Sequence, residues 1–476
     1  MHTKSNPDEI QSFLSDASFI RDGYADRVFF PETVDDVSEI LSAANRDRTP
    51  VTVSGAGTGT VGGRVPFGGI VLATDRLNRI KSIENDRAVA EAGVILADFQ
   101  RAVDRQGLLY PPDPTERGCF LGGTVATNAS GARTFKYGPT RNYIEGLKLV
   151  LASGEVLALR RGEKDFLKLL SEHGCKIPLP NYRPPATRKN AAGYFVSPNM
   201  DALDLFIGSE GTIAVICEIE TRLVPKPQGL LSGVVFFANE SNVLAFVGDA
   251  KRGAVDARAL EFFDNESLNF LRQKYPEIPA EAVGAIFFEQ ETTDQTEAAI
   301  LNKWLALLDQ HHAFTDSWFA TNEQDQARLR EFRHQLPVLM NEWFAHYRQR
   351  KVSTDMAVPD EAFPGLFDLY KQTLRHSGLR YTIFGHIGDN HVHVNILPRD
   401  EDEAARAREL YVQFLKYAAS VGGTLSAEHG VGKLKRDYLR LFYSDAQLRE
   451  MAALKKHFDP HGILGRGNIF AEEFLN

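Results

Sequence analysis

Three stretches of this chain are built largely from residues with little or no side chain: Ser54-Gly55-Ala56-Gly57-Thr58-Gly59-Thr60-Val61-Gly62-Gly63, Gly122-Gly123-Thr124-Val125-Ala126-Thr127-Asn128-Ala129-Ser130-Gly131-Ala132-Arg133, and Gly208-Ser209-Glu210-Gly211-Thr212. Packing a core needs side-chain volume, which these segments lack. They are therefore expected as loops whose bare backbone lies flat against something large. The first follows a run, Thr49 to Ser54, that reads as a strand, and its uncovered N–H groups suit a phosphate or pyrophosphate. Gly57-Thr58-Gly59-Thr60-Val61-Gly62 matches the G-x-G-x-x-G spacing of dinucleotide folds, but that pattern must open a helix. Arg64-Val65-Pro66-Phe67-Gly68-Gly69 argues against one, so the Rossmann reading is rejected. No Walker lysine follows the glycines either.

A second constraint lies near the other end of the chain. Gly385-His386-Ile387-Gly388-Asp389-Asn390-His391-Val392-His393-Val394-Asn395 and Ser426-Ala427-Glu428-His429-Gly430-Val431-Gly432 hold four of the 13 histidines and two carboxylates. Strand alternation sends His391, His393 and Asn395 to one face, and Gly388 marks a turn that lets His386 fold back. Neutral imidazoles with one carboxylate suit a borderline divalent metal such as zinc, and three protein ligands leave a position open for substrate.

Length and charge narrow the rest. A chain of 476 residues implies two or three domains. Its net charge of −9 is spread along the sequence without the basic stripe a nucleic-acid binder needs, so nucleic acid is excluded as a partner. Cys119, Cys175 and Cys217 are odd in number and lack C-x-x-C spacing, which argues against a disulfide framework or an iron–sulfur cluster and fits a reducing cytoplasm. The polar N-terminus has no apolar h-region, and no run of about 20 apolar residues is present to span a bilayer.

Along the chain, Thr33 to Ala44 reads as a helix capped by Thr33 with Asp36 three residues on. Tyr143 to Ala152 and Ile213 to Leu223 read as strands. Past Pro225-Lys226-Pro227 the pattern changes to alternating strands and amphipathic helices: Leu231 to Phe237, Asn242 to Lys251, Ala285 to Gln290, Thr296 to Leu308, and later the strand Tyr381 to Phe384. The last segment reads as helical up to about His457.

The order of these motifs, with Pro111-Pro112-Asp113-Pro114 among them, resembles the FAD-linked D-2-hydroxy-acid dehydrogenases of the vanillyl-alcohol oxidase and p-cresol methylhydroxylase (PCMH-type) superfamily. These include the cytochrome-type D-lactate dehydrogenases, the flavin subunit of glycolate oxidase and D-2-hydroxyglutarate dehydrogenase. The resemblance runs from about residue 25 to residue 470. It implies an α+β fold: a PCMH-type FAD-binding domain of two lobes (residues 1–227), a central antiparallel-sheet and helix substrate domain with the metal site (228–432), and a C-terminal segment returning to the FAD domain (433–476). Ser54, Gly55, Ala56, Gly57, Thr58 and Gly59 would hold the pyrophosphate. Pro112, Asp113, Gly122, Gly123, Thr124, Asn128 and Ser130 would line the cofactor, with Gly211, Thr212 and Ile213 opposite.

Asn468 stands in Gly465-Arg466-Gly467-Asn468 where relatives carry Asn-Pro-Gly-Lys at the cofactor edge. With no histidine in the cradle, FAD is expected to be non-covalent. The resemblance further implies a divalent ion, zinc with Mn2+ and Fe2+ as alternatives, on His386, His393 and Glu428, and His429 as the base. His391 departs from the usual Gly-Asp-Gly-Asn wording and is either a competing ligand or an outer partner. A helical arginine, Arg330 or Arg333, would take the substrate carboxylate. Lys351 does not stand where some relatives carry a lysine for a longer diacid.

The implied reaction is oxidation of a D-2-hydroxy acid, D-lactate first, to the 2-oxo acid. Electrons would pass to an external quinone, cytochrome or electron-transfer flavoprotein, with a homodimer as one assembly and a cytoplasmic or peripheral membrane location. The alternatives are a glycolate-oxidase-type subunit that depends on an iron–sulfur partner, and a flavin transferase like the alkyl-dihydroxyacetone-phosphate synthases.

Overall fold

The structure is a computed structural model that describes residues 2–162 and 177–475. Cys175 lies outside these residues; Cys119 and Cys217 are buried free thiols. The first sheet has four strands in the order His2–Lys4, Arg27–Phe30, Ile70–Ala73, Val51–Ser54, the last three parallel. The helix Val34–Asp47 supplies the crossover that parallel strands need. Thr33 caps it in a capping box with Asp36, and Arg48 ends it at φ 54. Its stripe of Val37, Ile40, Leu41 and Ala44 is buried against the sheet together with Ile463 and Leu464 from the far end of the chain. Val51 donates its N–H to Ile463 O at 2.8 Å, which ties that part of the chain to the edge of the first sheet.

A second, five-stranded sheet is wholly antiparallel, in the order Ile80–Glu84, Arg87–Glu91, Val215–Arg222, Ile144–Val150, Val156–Arg160. The third, also antiparallel, has seven strands: Trp318–Ala320, Gly229–Phe237, Gly284–Thr292, Ala257–Asp264, Tyr381–Gly385, His393–Ile396, Val352–Ser353. Ala257–Asp264 is buried at every position, which is why Ala-Arg-Ala-Leu-Glu-Phe-Phe-Asp shows no simple alternation of apolar and polar residues. Its Phe262 lies opposite Gly385, and Phe384 lies opposite His393. That register sets Glu261 next to His386, which directly follows the neighbouring strand.

One expectation is corrected. Gly122 to Ala126 was expected as loop, yet Leu121–Ala126 is a short helix. Tertiary packing overrides the low propensity of its glycines: Leu121 and Val125 are fully buried, and a Cβ on Gly122 would run into Ala92. The loop reading holds for residues 55–69, which contain no helix, as rejection of the Rossmann pattern required. No helix among the described residues is long and apolar enough to cross a membrane.

Candidate active site

The histidine hairpin is built by backbone first. Tyr381–Gly385 ends at Gly385 (φ 117), a 3-10 turn covers Ile387–Asp389, and Asn390 turns left-handed at φ 54. His391 then returns its N–H to His386 O at 3.2 Å, and His393 opens the next strand. Only His393 of the expected alternating trio His391, His393 and Asn395 shares its strand with Asn395; His391 precedes it in the turn. The rings still gather, with centroids of His391 and His393 4.5 Å apart.

The partner loop is held by two buried carboxylates. Asp355 accepts from Ser426 Oγ (2.6 Å), Lys435 Nζ (2.6 Å), the N–H of His429 (3.1 Å) and that of Glu428 (3.3 Å). Glu210 accepts the N–H groups of Val431 and Gly432, each at 2.7 Å. Because each carboxylate meets backbone donors, the loop position is fixed independently of most of its own side chains.

On this frame His386, His391, His393 and Glu428 bring one ligating atom each to within 4.8 Å of all the others. Glu428 Oε1 lies 3.3 Å from His386 Nε2, 3.3 Å from His393 Nε2 and 3.5 Å from His429 Nε2. The other ring nitrogens are already committed. His386 Nδ1 donates to Glu261 Oε1 at 2.7 Å, and His393 Nδ1 donates to Thr354 O at 3.0 Å. With Nδ1 so held, His393 turns Nε2 toward a carboxylate oxygen, a pairing that a cation between them would bridge. His391 is fully buried, and neither ring nitrogen has a hydrogen-bond partner among the described residues; its Nε2 is 3.1 Å from Asp355 Oδ1 but out of line for a bond. Unmet buried nitrogens of this kind also fit a cation. A second set, Asp355, Glu428 and His429, is equally close. The donors already on Asp355 leave it little capacity, so the first set is the better fit.

The charges follow from these contacts. Burial alone lowers His386, but Glu261 and Glu428 more than offset it and lift the ring to about 9. Burial favours neutral Glu261, yet Arg333 and His386 bring it down to about 2. Glu428 is held well below the usual carboxylate range, burial being outweighed by Lys189 and His386. Burial and the adjacent His393 push His391 down to about 3. His429, its side chain 33% exposed, is lowered to about 4 by burial against the opposing pull of Asp355 and Glu428. It is the one imidazole of the group open to an incoming molecule, and it is neutral at pH 7.

The two candidate arginines part company. Both sit on the helix Glu323–Tyr347. Arg333 Nε ion-pairs with Glu261 Oε2 at 3.2 Å and thereby backs His386. The Arg330 guanidinium is half-buried and makes no ion pair or hydrogen bond among the described residues. Asp113, expected at the cofactor, pairs with Arg117 (2.8 Å) and Arg133 (3.4 Å). Ser130, expected there too, donates its hydroxyl to Glu428 Oε2 at 3.2 Å.

The cradle lies alongside. Arg64 Nη1 donates to Ser54 Oγ (3.0 Å) and Gly55 O (2.8 Å), and a Cβ on Gly57 (φ 82) would strike its guanidinium. Gly59 and Gly123 face open space. Lys433 Nζ donates to Gly62 O, Gly63 O and Asn468 Oδ1, and Asn468 donates to Gly63 O at 2.9 Å. Thr212 Oγ1 bonds the Tyr194 hydroxyl at 2.7 Å, while Asn128 accepts the Arg141 N–H and stands at φ 48. Glycines open on one side and cations behind fit a bound pyrophosphate. The three small-residue stretches meet the loop of Glu428 and His429 through Ser130, Glu210 and the contact of Lys433 with Gly62.

Sequence reading missed Glu261, Asp355, Lys189, Lys433 and Arg64. The signal for Glu261 was a carboxylate inside an apolar strand, which is rarely buried without a partner. Asp355, Lys189 and Lys433 carry no local mark, because their partners are distant in sequence; Arg64 had one, since it directly follows the glycine stretch that it braces.

Residues 226–469 match the family described as FAD linked oxidases, C-terminal domain, and residues 25–160 match an FAD binding domain. The chain is 30% identical to the glycolate oxidase subunit GlcD of Bacillus subtilis, over 94% of this chain and 89% of that one. It is also 30% identical to D-lactate dehydrogenase of Anaerostipes hadrus, over 92% and 88%. The 4-ethylphenol oxidase from Gulosibacter chungangensis shares the fold with a TM-score of 0.71 at 18% identity, covering 98% of this chain and 94% of that one. With both halves of the family present and its length matched nearly end to end, the chain belongs to the FAD-linked oxidases and is an FAD-linked oxidoreductase.

Proposed function

We propose that this protein oxidises a small D-2-hydroxy acid, D-lactate first, to the 2-oxo acid and passes the electrons to an external acceptor. The observation that carries this reading is the neutral, part-exposed His429 set against Glu428, His386 and His393, a base beside a cation-binding group. Bound FAD supplies the acceptor for a hydride from the substrate's C2. A divalent cation, zinc for this donor set, would be held by His386, His393 and Glu428 with His391 in reach, and would supply positive charge to a substrate oxygen.

The chain's own residues do the rest. His429 Nε2 takes the hydroxyl proton, and Asp355 Oδ2, 3.4 Å from Nδ1, favours the imidazolium that forms. Arg330, with no ion-pair partner among the described residues, receives the substrate carboxylate, while Arg333 keeps Glu261 and His386 in place. Glu210 and Asp355 hold the loop so that His429 keeps its aim. The substrate loses a hydride and a proton and gains a carbonyl, so the electron pair must leave through an acceptor.

The identity of the first relative favours one second reading, in which turnover needs a partner subunit. Steady-state assay of the purified chain with D-lactate, glycolate and an artificial electron acceptor tests both. Turnover of the isolated chain supports the first, and turnover only after adding an iron–sulfur protein supports the second.

A further inference from the structure

Lys189 is a fully buried cation in the site with no assigned task. Its side chain is 0% exposed, and its Nζ lies 3.2 Å from Glu428 Oε2, 3.2 Å from Gly131 O and 3.4 Å from Asp389 Oδ2. Ser130 Oγ donates to the same Glu428 oxygen at 3.2 Å. The two oxygens of Glu428 are therefore sharply divided. Oε2 takes an ammonium and a hydroxyl, both from the N-terminal half of the chain, while Oε1 faces His386, His393 and His429.

Zinc accepts carboxylates through either one oxygen or two, and a second oxygen would occupy a position that a catalytic ion must leave open. We propose that Lys189, with Ser130 beside it, is a positioning residue that confines Glu428 to a single donor oxygen and so keeps a coordination position free for substrate. Asp389 completes the arrangement. Among the described residues neither of its buried oxygens has a hydrogen-bond donor, and its one ion pair is with Lys189. It offsets the lysine's charge, which would otherwise stand unopposed once Glu428 shares its own charge with a metal ion. This inference rests on the reading of His386, His393 and Glu428 as ligands.

The test uses full-length, FAD-loaded protein reconstituted with Co2+ alone, in the wild type, Lys189→Met and Lys189→Arg. Lys189→Met/Asp389→Asn is added because it leaves no buried carboxylate orphaned if the single variant fails to fold. X-ray absorption at the cobalt edge counts the metal's neighbours, and competition with a chelator measures affinity. In both methionine variants cobalt is expected to gain an oxygen neighbour and to bind as tightly as in wild type or more so, because a nearby cation has been removed. KM for the hydroxy acid is expected to rise about tenfold or more, the scale of outer-partner losses at metal sites. Lys189→Arg should restore the wild-type neighbour count.

Weaker cobalt binding with an unchanged neighbour count would make Lys189 merely structural and overturn the proposal. So would methionine variants identical to wild type. A wild-type protein that takes up no cobalt would overturn the metal reading and this proposal with it.

Discussion

Glu261 sits between Arg333 and His386, 4% exposed, with one oxygen on each. Glu261→Gln keeps the shape and removes the charge. The amide has one carbonyl to offer two donors, so its NH2 must face either the Arg333 guanidinium or His386 Nδ1–H. If His386 keeps the carbonyl, a charge-assisted bond of 2.7 Å becomes a neutral one of about half the strength. If it loses the carbonyl, the ring is free to turn and Nε2 leaves the cluster. Either way metal affinity should fall by about 10- to 100-fold, the range for outer partners of ligating histidines. That corresponds to about 1.4 to 2.7 kcal/mol. Glu261→Asp, shorter but charged, should fall between wild type and Glu261→Gln. The assay is zinc titration of metal-free protein against a competing chelator, with flavin content checked by absorbance. An affinity for Glu261→Gln within about threefold of wild type, in protein that keeps its FAD, would refute the role given to Glu261.

Three further outcomes are expected. His429→Asn should lower turnover by about 10²- to 10⁴-fold while FAD and metal contents stay at wild-type levels, and near-normal turnover would remove His429 as the base. Gly59→Val places a side chain in the open space above the cradle and, at an ordinary φ, adds no strain. It should purify without flavin, and stoichiometric FAD would show that the cofactor lies elsewhere. Burial pushes Glu210 up to about 7, against the pull of the Val431 and Gly432 amides. A carboxyl raised in the folded state binds its proton more tightly there, so its contribution to stability is full below about pH 4.5 and is lost as pH rises through 7. Glu210→Gln has no such ionisation. The melting-temperature difference between variant and wild type should therefore shift in the variant's favour from pH 4.5 to above 7, and a constant difference would contradict the assignment.

Local physics made part of this molecule readable in advance. The Thr33–Asp36 capping box and the stripe from Val37 to Ala44 encode their helix without outside help. The glycine turn at Gly388 and the run from His386 to His393 announced a cluster of imidazoles, since both histidines lie on one hairpin. What stayed hidden depends on distant contacts. Ser130 and Glu428 are 298 residues apart, and Lys189 and Glu428 are 239 apart. Nothing near Lys189 distinguishes it from a surface lysine. The choice between Arg330 and Arg333 needed Glu261, which arrives from a strand some 70 positions earlier. The helix at Leu121–Ala126 was missed for a related reason, because its stability comes from burial against Ala92 rather than from its own glycines.

The reaction proposed for this protein is flavin reduction by a D-2-hydroxy acid at a metal-assisted site. It is tested most directly by mixing the FAD-loaded protein anaerobically with D-lactate, L-lactate, glycolate and D-2-hydroxyglutarate in turn, with and without a chelator, and following the flavin absorbance. Bleaching by a D-2-hydroxy acid but not by L-lactate, abolished by the chelator and restored by zinc, is the expected result. Flavin that stays oxidised with every one of these acids, or that bleaches equally well after the metal is stripped, would contradict it.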